Sequence, residues 1–110
     1  MKIAIVGSRS ISISSSDIEK YISSNDEVVS GGAQGADTAA KYAKINSLKL
    51  TEFLPEYSIY RRAAPIIRNK KIVDYADKII VFWNGSSKGT LSVIKYAQKI
   101  GKPCEIIILK

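Results

Sequence analysis

Five short apolar runs divide this chain. Each is cut off by glycine, proline or a polar residue and separated from the next by a stretch of helical periodicity. Lys2-Ile3-Ala4-Ile5-Val6 runs to Gly7, Glu27-Val28-Val29-Ser30 runs to Gly31-Gly32, and residues 48–54 alternate until Pro55. Lys78-Ile79-Ile80-Val81-Phe82-Trp83 is the clearest run, and Glu105-Ile106-Ile107-Ile108-Leu109 is the last. Runs this apolar suit strands buried on both faces, and the helical stretches between them are the crossovers that parallel strands require. The pattern predicts an α/β fold, a three-layer sandwich around a mostly parallel five-stranded sheet.

Four helices are expected between the strands. Residues 17–24 are introduced by Ser16-Asp17-Ile18-Glu19, read as a capping box in which the serine accepts from first-turn amides and Glu19 reaches back. A second helix follows Gly31-Gly32 and runs to about Asn46, with Ala36, Ala39, Ala40 and Ala43 as a small-residue stripe that lets it lie close on the sheet. A third spans residues 65–76, with Pro65 suited to its first turn. The fourth spans 91–100, closed by Gly101 with Pro103 just beyond.

At 110 residues the chain is one domain, residues 1–110, and it shows no internal repeat or linker. It contains no histidine and one cysteine, Cys104. That excludes Ser-His and Cys-His nucleophile pairs, zinc chemistry of the HExxH type and an internal disulfide. No metal site and no cofactor are expected. No apolar run approaches the ~18 residues a membrane span needs, and no signal sequence is visible at the start, so the expected location is the cytoplasm. Seventeen Lys and Arg against ten Asp and Glu give a formal charge of +7, which favours phosphorylated or polyanionic partners.

Parallel sheets of this kind bind ligands outside the carboxyl ends of their strands, where the strand order reverses. Three strand ends carry unusual loops: Gly7-Ser8-Arg9, then Gly31-Gly32-Ala33-Gln34-Gly35-Ala36-Asp37, then Asn84-Gly85-Ser86-Ser87-Lys88-Gly89-Thr90. In a Rossmann-like order the first, second and fourth strands are neighbours, so the three loops share one crevice. Glycines there admit an anion close to backbone amides, and each loop opens a helix whose first amides lack intrahelical acceptors. Taken singly, each loop is also an ordinary tight turn. Asp37, in a first helical turn, either complements the helix dipole or accepts from a sugar hydroxyl. Arg68 falls on one helix face with Ile72 and Ala76, and its helix begins at the carboxyl end of the sheet. Its planar fork there suits phosphate or carboxylate. Neither the G-x-G-x-x-G fingerprint nor the G-x-x-x-x-G-K-[ST] loop is present, which disfavours a standard NAD dehydrogenase or ATPase.

These residues together resemble the SLOG superfamily, and most closely its small single-domain YspA-like members. The resemblance rests on Gly7-Ser8-Arg9, on Ser30 to Asp37, on Arg68-Asn69 leading to Ala76-Asp77, and on Asn84 to Thr90, in that order over nearly the whole chain. It implies a Rossmann-like fold and a crevice that binds a nucleotide or nucleotide derivative. The superfamily includes the DNA-processing protein Smf/DprA and the LOG phosphoribohydrolases. Arg68 and Asp77 match the LOG spacing, and Gly89-Thr90 matches part of the P-G-G-x-G-T-x-x-E motif, but that motif's glutamate is missing after Leu91-Ser92-Val93. Asp37, Arg68 and Glu56 are the weak catalytic candidates that remain. The implied binding residues are Gly7, Ser8, Arg9, Gly31, Gly32, Ala33, Gly35, Ala36, Asp37, Arg68, Asn84, Gly85, Ser87, Gly89 and Thr90.

The leading expectation is therefore a nucleotide-binding module, acting as sensor or carrier. The alternative is an N-glycosidase acting on nucleoside monophosphates. Single-stranded DNA binding stands third, with Tyr57, Tyr60 and Trp83 as possible stacking partners and Arg61, Arg62, Lys70 and Lys71 as basic neighbours. A homodimer is expected from the superfamily.

Overall fold

Every strand pairing in the computed structural model is parallel, and the sheet order is β3-β2-β1-β4-β5. The structure describes residues 1–8, 12–31 and 37–109, and of Asp37 the backbone alone. The strands are β1 (Lys2–Gly7), β2 (Glu27–Ser30), β3 (Leu50–Glu52), β4 (Lys78–Trp83) and β5 (Cys104–Ile108). The helices are α1 (Ser15–Glu19), α2 (Asp37–Ile45), α3 (Tyr57–Tyr60), α4 (Ala64–Tyr75) and α5 (Lys88–Ile100), with a 3₁₀ turn at Arg61–Ala63. The chain leaves β1 in one direction to build β2 and β3, then crosses back to place β4 on β1's other side. The order thus reverses between β1 and β4.

Strand alternation sorts the core into two layers. Ile3, Ile5, Val28, Ile80 and Phe82 point to one face and pack with Ile18, Ala39 and Ala43 of α1 and α2. Ala4, Val29, Ile79 and Val81 point to the other and pack with Ile72, Val73, Val93 and Ala97 of α4 and α5. Each fully buried Val, Ile or Phe is worth about 1.5–3 kcal/mol, so these central strands outweigh any single cap or ion pair. This is a Rossmann-like three-layer sandwich, with an all-parallel sheet where a mostly parallel one was expected.

The first helix corrects the sequence reading. It begins at Ser15 and ends at Glu19, and its N-cap is Ser14, not Ser16. The Asp17 amide donates to Ser14 Oγ (3.2 Å) and the Ser14 amide donates to Asp17 Oδ2 (2.9 Å), so the capping box partner is Asp17 rather than Glu19. Packing selects this frame from a run of serines. With Ser14 as cap, Ile13 and Ile18 occupy the positions of a hydrophobic staple, and both are buried in the same core cluster. The third strand is also shorter than expected. Leu48-Lys49 and Phe53-Leu54 lie outside it, although the Phe53 amide still donates to Ser30 O (2.8 Å).

α3 and its 3₁₀ turn fill the stretch between β3 and α4 that had no assigned element. α5 begins at Lys88, three residues earlier than expected, because Ser87 caps it through its hydroxyl. Its end at Gly101, in the left-handed conformation, is as expected. Among the described residues no helix is long and apolar enough to cross a membrane.

Candidate functional site

A cleft of about 360 Å³ opens at the carboxyl ends of β1, β2 and β4, beside the point where the strand order reverses. Its walls are the first turns of α4 and α5. Both helices run antiparallel to the strands, so their amide ends arrive at this rim. The cleft brings together Gly7 and Ser8 from β1, Gly31 after β2 and Arg68 on α4. From the segment joining β4 to α5 come Asn84, Ser87, Gly89 and Thr90.

Ser8 and Thr90 are buried at the floor, where their hydroxyls are 3.2 Å apart. The Ser8 amide extends the β1–β4 ladder by donating to Phe82 O (3.0 Å), and Ser8 Oγ also accepts from the Asn84 amide (3.4 Å). Ser8 therefore ties β1 to the β4–α5 segment.

That segment is shaped by its own side chains. Asn84 Oδ1 accepts from the amides of Ser86 (2.9 Å) and Ser87 (2.8 Å), a local turn that lets the chain double back through Gly85 at φ 88°. Ser87 Oγ accepts from the Thr90 amide (3.4 Å), and Trp83 Nε1 donates to Ser87 O (3.2 Å). The loop closes so that α5 starts at the cleft, with Lys88 and Gly89 in a first turn whose amides have no intrahelical acceptor. Gly85 does not line the cleft. It supplies the loop geometry.

Arg68 is the one charged residue among the lining residues, and no carboxylate lines the cleft among the described residues. Its Nε donates to Asn69 Oδ1 (2.8 Å) and its Nη1 donates to the Gly31 carbonyl. Gly31 is glycine for a packing reason. A Cβ there would sit 2.9 Å from Ile72 Cδ1 and 3.0 Å from both Arg68 Cδ and Nη1. Its absence lets α4 lie against the end of β2 and sets the guanidinium at the mouth. The sequence marked Gly31 as a site where an anion could approach, yet the close approach seen is that of α4.

Charge is unevenly divided along the chain. Residues 56–101, which hold α4 and α5, carry nine Lys and Arg against three Asp and Glu, while the remainder carries eight against seven. Nearly all of the positive surplus thus lies in the half that walls the cleft.

Arg9, Gly32, Ala33, Gly35 and Ala36 fall outside the described residues, as does the side chain of Asp37, whose backbone opens α2. Glu56 does not line the cleft. Its carboxylate pairs with Lys71 (2.9 Å) on the surface, and this pairing raises the Lys71 pKa. Tyr57 and Tyr60 are exposed on α3, away from the lining, and the Lys71 ammonium sits 5.5 Å from the Tyr60 ring centre.

Pro65, Asn69, Ile72 and Val93 line the cleft without having been singled out as binding residues. Asn69 had the one readable signal, since it follows Arg68 in sequence and its amide oxygen orients that guanidinium. Among the described residues no group of three or more His, Cys, Asp or Glu is arranged to hold a metal ion. Comparison with family models, with curated proteins and with solved structures returned no match.

Proposed function

We propose that the chain binds the phosphate end of a nucleotide or nucleotide derivative in this cleft, as a sensor or binding module. The observation that carries the reading is the composition of the cleft: one guanidinium, the start of α5, the hydroxyls of Ser8, Ser87 and Thr90, and no carboxylate among the described lining residues. An anion there gains from the guanidinium's charge-assisted bonds and from the positive end of α5, and meets no like charge among the described lining residues. The apolar wall formed by Val6, Ile72, Pro65 and Val93 suits the less polar remainder of such a ligand. The reading agrees with the resemblance to the SLOG superfamily.

Cleavage of an N-glycosidic bond would need a carboxylate beside the sugar to stabilise the oxocarbenium-like state. Glu56 is held by Lys71 outside the cleft and no carboxylate lines it among the described residues, which supports binding over turnover.

Thermal unfolding with AMP, ADP-ribose, NAD, cyclic nucleotides and inorganic phosphate tests this. A ligand at a hundred times its Kd stabilises by about 2.7 kcal/mol. At least one nucleotide should stabilise the protein well beyond inorganic phosphate, and the effect should shrink in Arg68→Ala. No stabilisation by any of them overturns the proposal. Release of free base from a nucleoside monophosphate would replace binding with hydrolysis.

A further inference from the structure

Between β3 and α4 the chain runs as a strap held at its two ends. At one end the Phe53 amide donates to Ser30 O (2.8 Å), and the Phe53 ring packs edge-on against Tyr75 with 5.4 Å between centres. At the other end Ala64, the first residue of α4, is buried. No residue from 54 to 63 is buried. Yet of the ten large apolar side chains left exposed among the described residues, five lie between positions 54 and 66: Leu54, Tyr57, Ile59, Tyr60 and Ile66. A segment with so few buried apolar contacts opens at low free energy. It is tied to α4 by the Glu56–Lys71 pair at the surface, and exposed pairs of this kind contribute little.

The strap also has a direction and a joint. It leaves the carboxyl end of β3 and enters α4 just before Pro65 and Arg68, so it stands at the rim where the cleft opens. Its apolar patch continues into the cleft's apolar wall, since Pro65 lines the cleft and Ile66 beside it is exposed. The corner between α3 and the 3₁₀ turn is Arg61, at φ 51° and ψ −121°. L side chains rarely adopt that region, and no residue of the 3₁₀ turn is buried to compel it.

On the footing of the nucleotide binding proposed for the cleft, we propose that residues 54–63 are a lid. It turns about Arg61 and closes on the bound ligand, laying the apolar side chains of α3 over the ligand's less polar end. Closing returns Arg61 to ordinary backbone angles and exchanges the Glu56–Lys71 pair for apolar contact withdrawn from water. Such closure selects a phosphate joined to an apolar ring system over a bare phosphate.

The test is amide exchange of the whole chain with whichever of AMP, ADP-ribose, NAD or a cyclic nucleotide raises the unfolding temperature, and with inorganic phosphate. The Ile59, Tyr60 and Arg61 amides, which close the turn of α3, should exchange about tenfold more slowly with the nucleotide. Inorganic phosphate, which offers nothing for the lid to cover, should leave them unchanged. Two variants read the joint. Arg61→Gly and Arg61→Ala remove the same charge, but glycine alone relieves the strain of the open form. Arg61→Gly should therefore be the more stable of the two without ligand, yet bind the nucleotide about fivefold more weakly. If none of the nucleotides raises the unfolding temperature, the binding proposal falls and the lid falls with it. A thermal shift with unchanged exchange in α3 overturns the lid alone, and so do equal affinities in the two variants. Exchange that slows with protein concentration in the absence of nucleotide assigns the patch to a contact between copies and also overturns the lid.

Discussion

At the amino ends of the strands Glu27, Asp26 and Asp77 are all engaged. Glu27 accepts from the Tyr75 hydroxyl (2.5 Å) and the Thr51 hydroxyl (2.8 Å) and pairs with Lys49 (3.3 Å). Asp26 accepts from the Ser23 amide (2.8 Å), and Asp77 accepts from the Lys2 amide (2.8 Å). Lys102 donates to the Ala76 carbonyl (2.6 Å), closing the end of α4. At the carboxyl ends the cleft is lined by hydroxyls, a guanidinium and the start of a helix, with no carboxylate among the described lining residues. The difference follows from chain direction. In a parallel sheet the crossover helices all start at one end, so positive amide ends collect there and the other end must satisfy its charges internally. Polar residues at the amino end complete the fold, and those at the carboxyl end line an open cleft, where the proposed ligand would sit.

Four substitutions break or sharpen this contrast. The largest effect is expected from Arg68→Ala, which removes the charge at the carboxyl end. A charge-assisted hydrogen bond is worth about 1.5–3 kcal/mol, so nucleotide affinity measured by calorimetry should fall roughly ten- to hundredfold. Gly31→Ala comes next. Its methyl group forces Ile72 and Arg68 apart, and overpacking of this kind costs about 1–3 kcal/mol in urea unfolding. Affinity should drop with it, because the guanidinium moves.

Glu27→Gln acts at the other end. It should cost about 1–2 kcal/mol of stability and leave ligand affinity unchanged. It also alters the response to acid. The Tyr75 hydroxyl, helped by Thr51 and Lys49 and opposed by burial, holds the Glu27 carboxyl below its ordinary range. The Ser23 amide does the same for Asp26, and the Ser14 amide for Asp17. A carboxylate depressed in the folded state contributes stability above its unfolded pKa, near 4, and loses it as pH falls through the lower folded value. Unfolding free energy should therefore decline on acidification below about pH 4, and decline less in Glu27→Gln. The smallest effect is expected from Ser14→Ala, which removes a helix cap that does not line the cleft. It should cost about 1 kcal/mol with binding intact. A variant that moved both stability at the amino end and affinity at the carboxyl end would dissolve the distinction.

The architecture was legible because strand alternation and helix punctuation agree along most of the chain. β2 and β4 have the bounds their sequences suggest, and the Gly101 stop holds. Local chemistry was less legible where several residues of one type compete. Six serines between residues 8 and 16 offered several caps, and only the burial of Ile13 and Ile18 selects Ser14. The short α3 had no pattern to announce it, since its large apolar residues stay exposed. At the cleft, Ser8, Arg68, Asn84 and Thr90 were legible from their places at strand and helix ends. The division of labour was not. Asn84 folding its own loop and Asn69 holding Arg68 are local contacts, but residue type and spacing do not say which side chain turns to its neighbours and which to the cleft; the Glu56–Lys71 pair forms only once α4 is folded.

The glycines at the mouth differ in how much room surrounds them. Gly31 is hemmed in by Ile72 and Arg68, whereas nothing lies within 4 Å of where a Cβ on Gly89 would stand. The β2 wall cannot be recontoured without displacing the Ile72 and Arg68 side chains. The α5 wall can accept a new side chain at little structural cost. Of the two glycines, position 89 is therefore the one through which preference for the proposed ligand could change while the scaffold stays as it is.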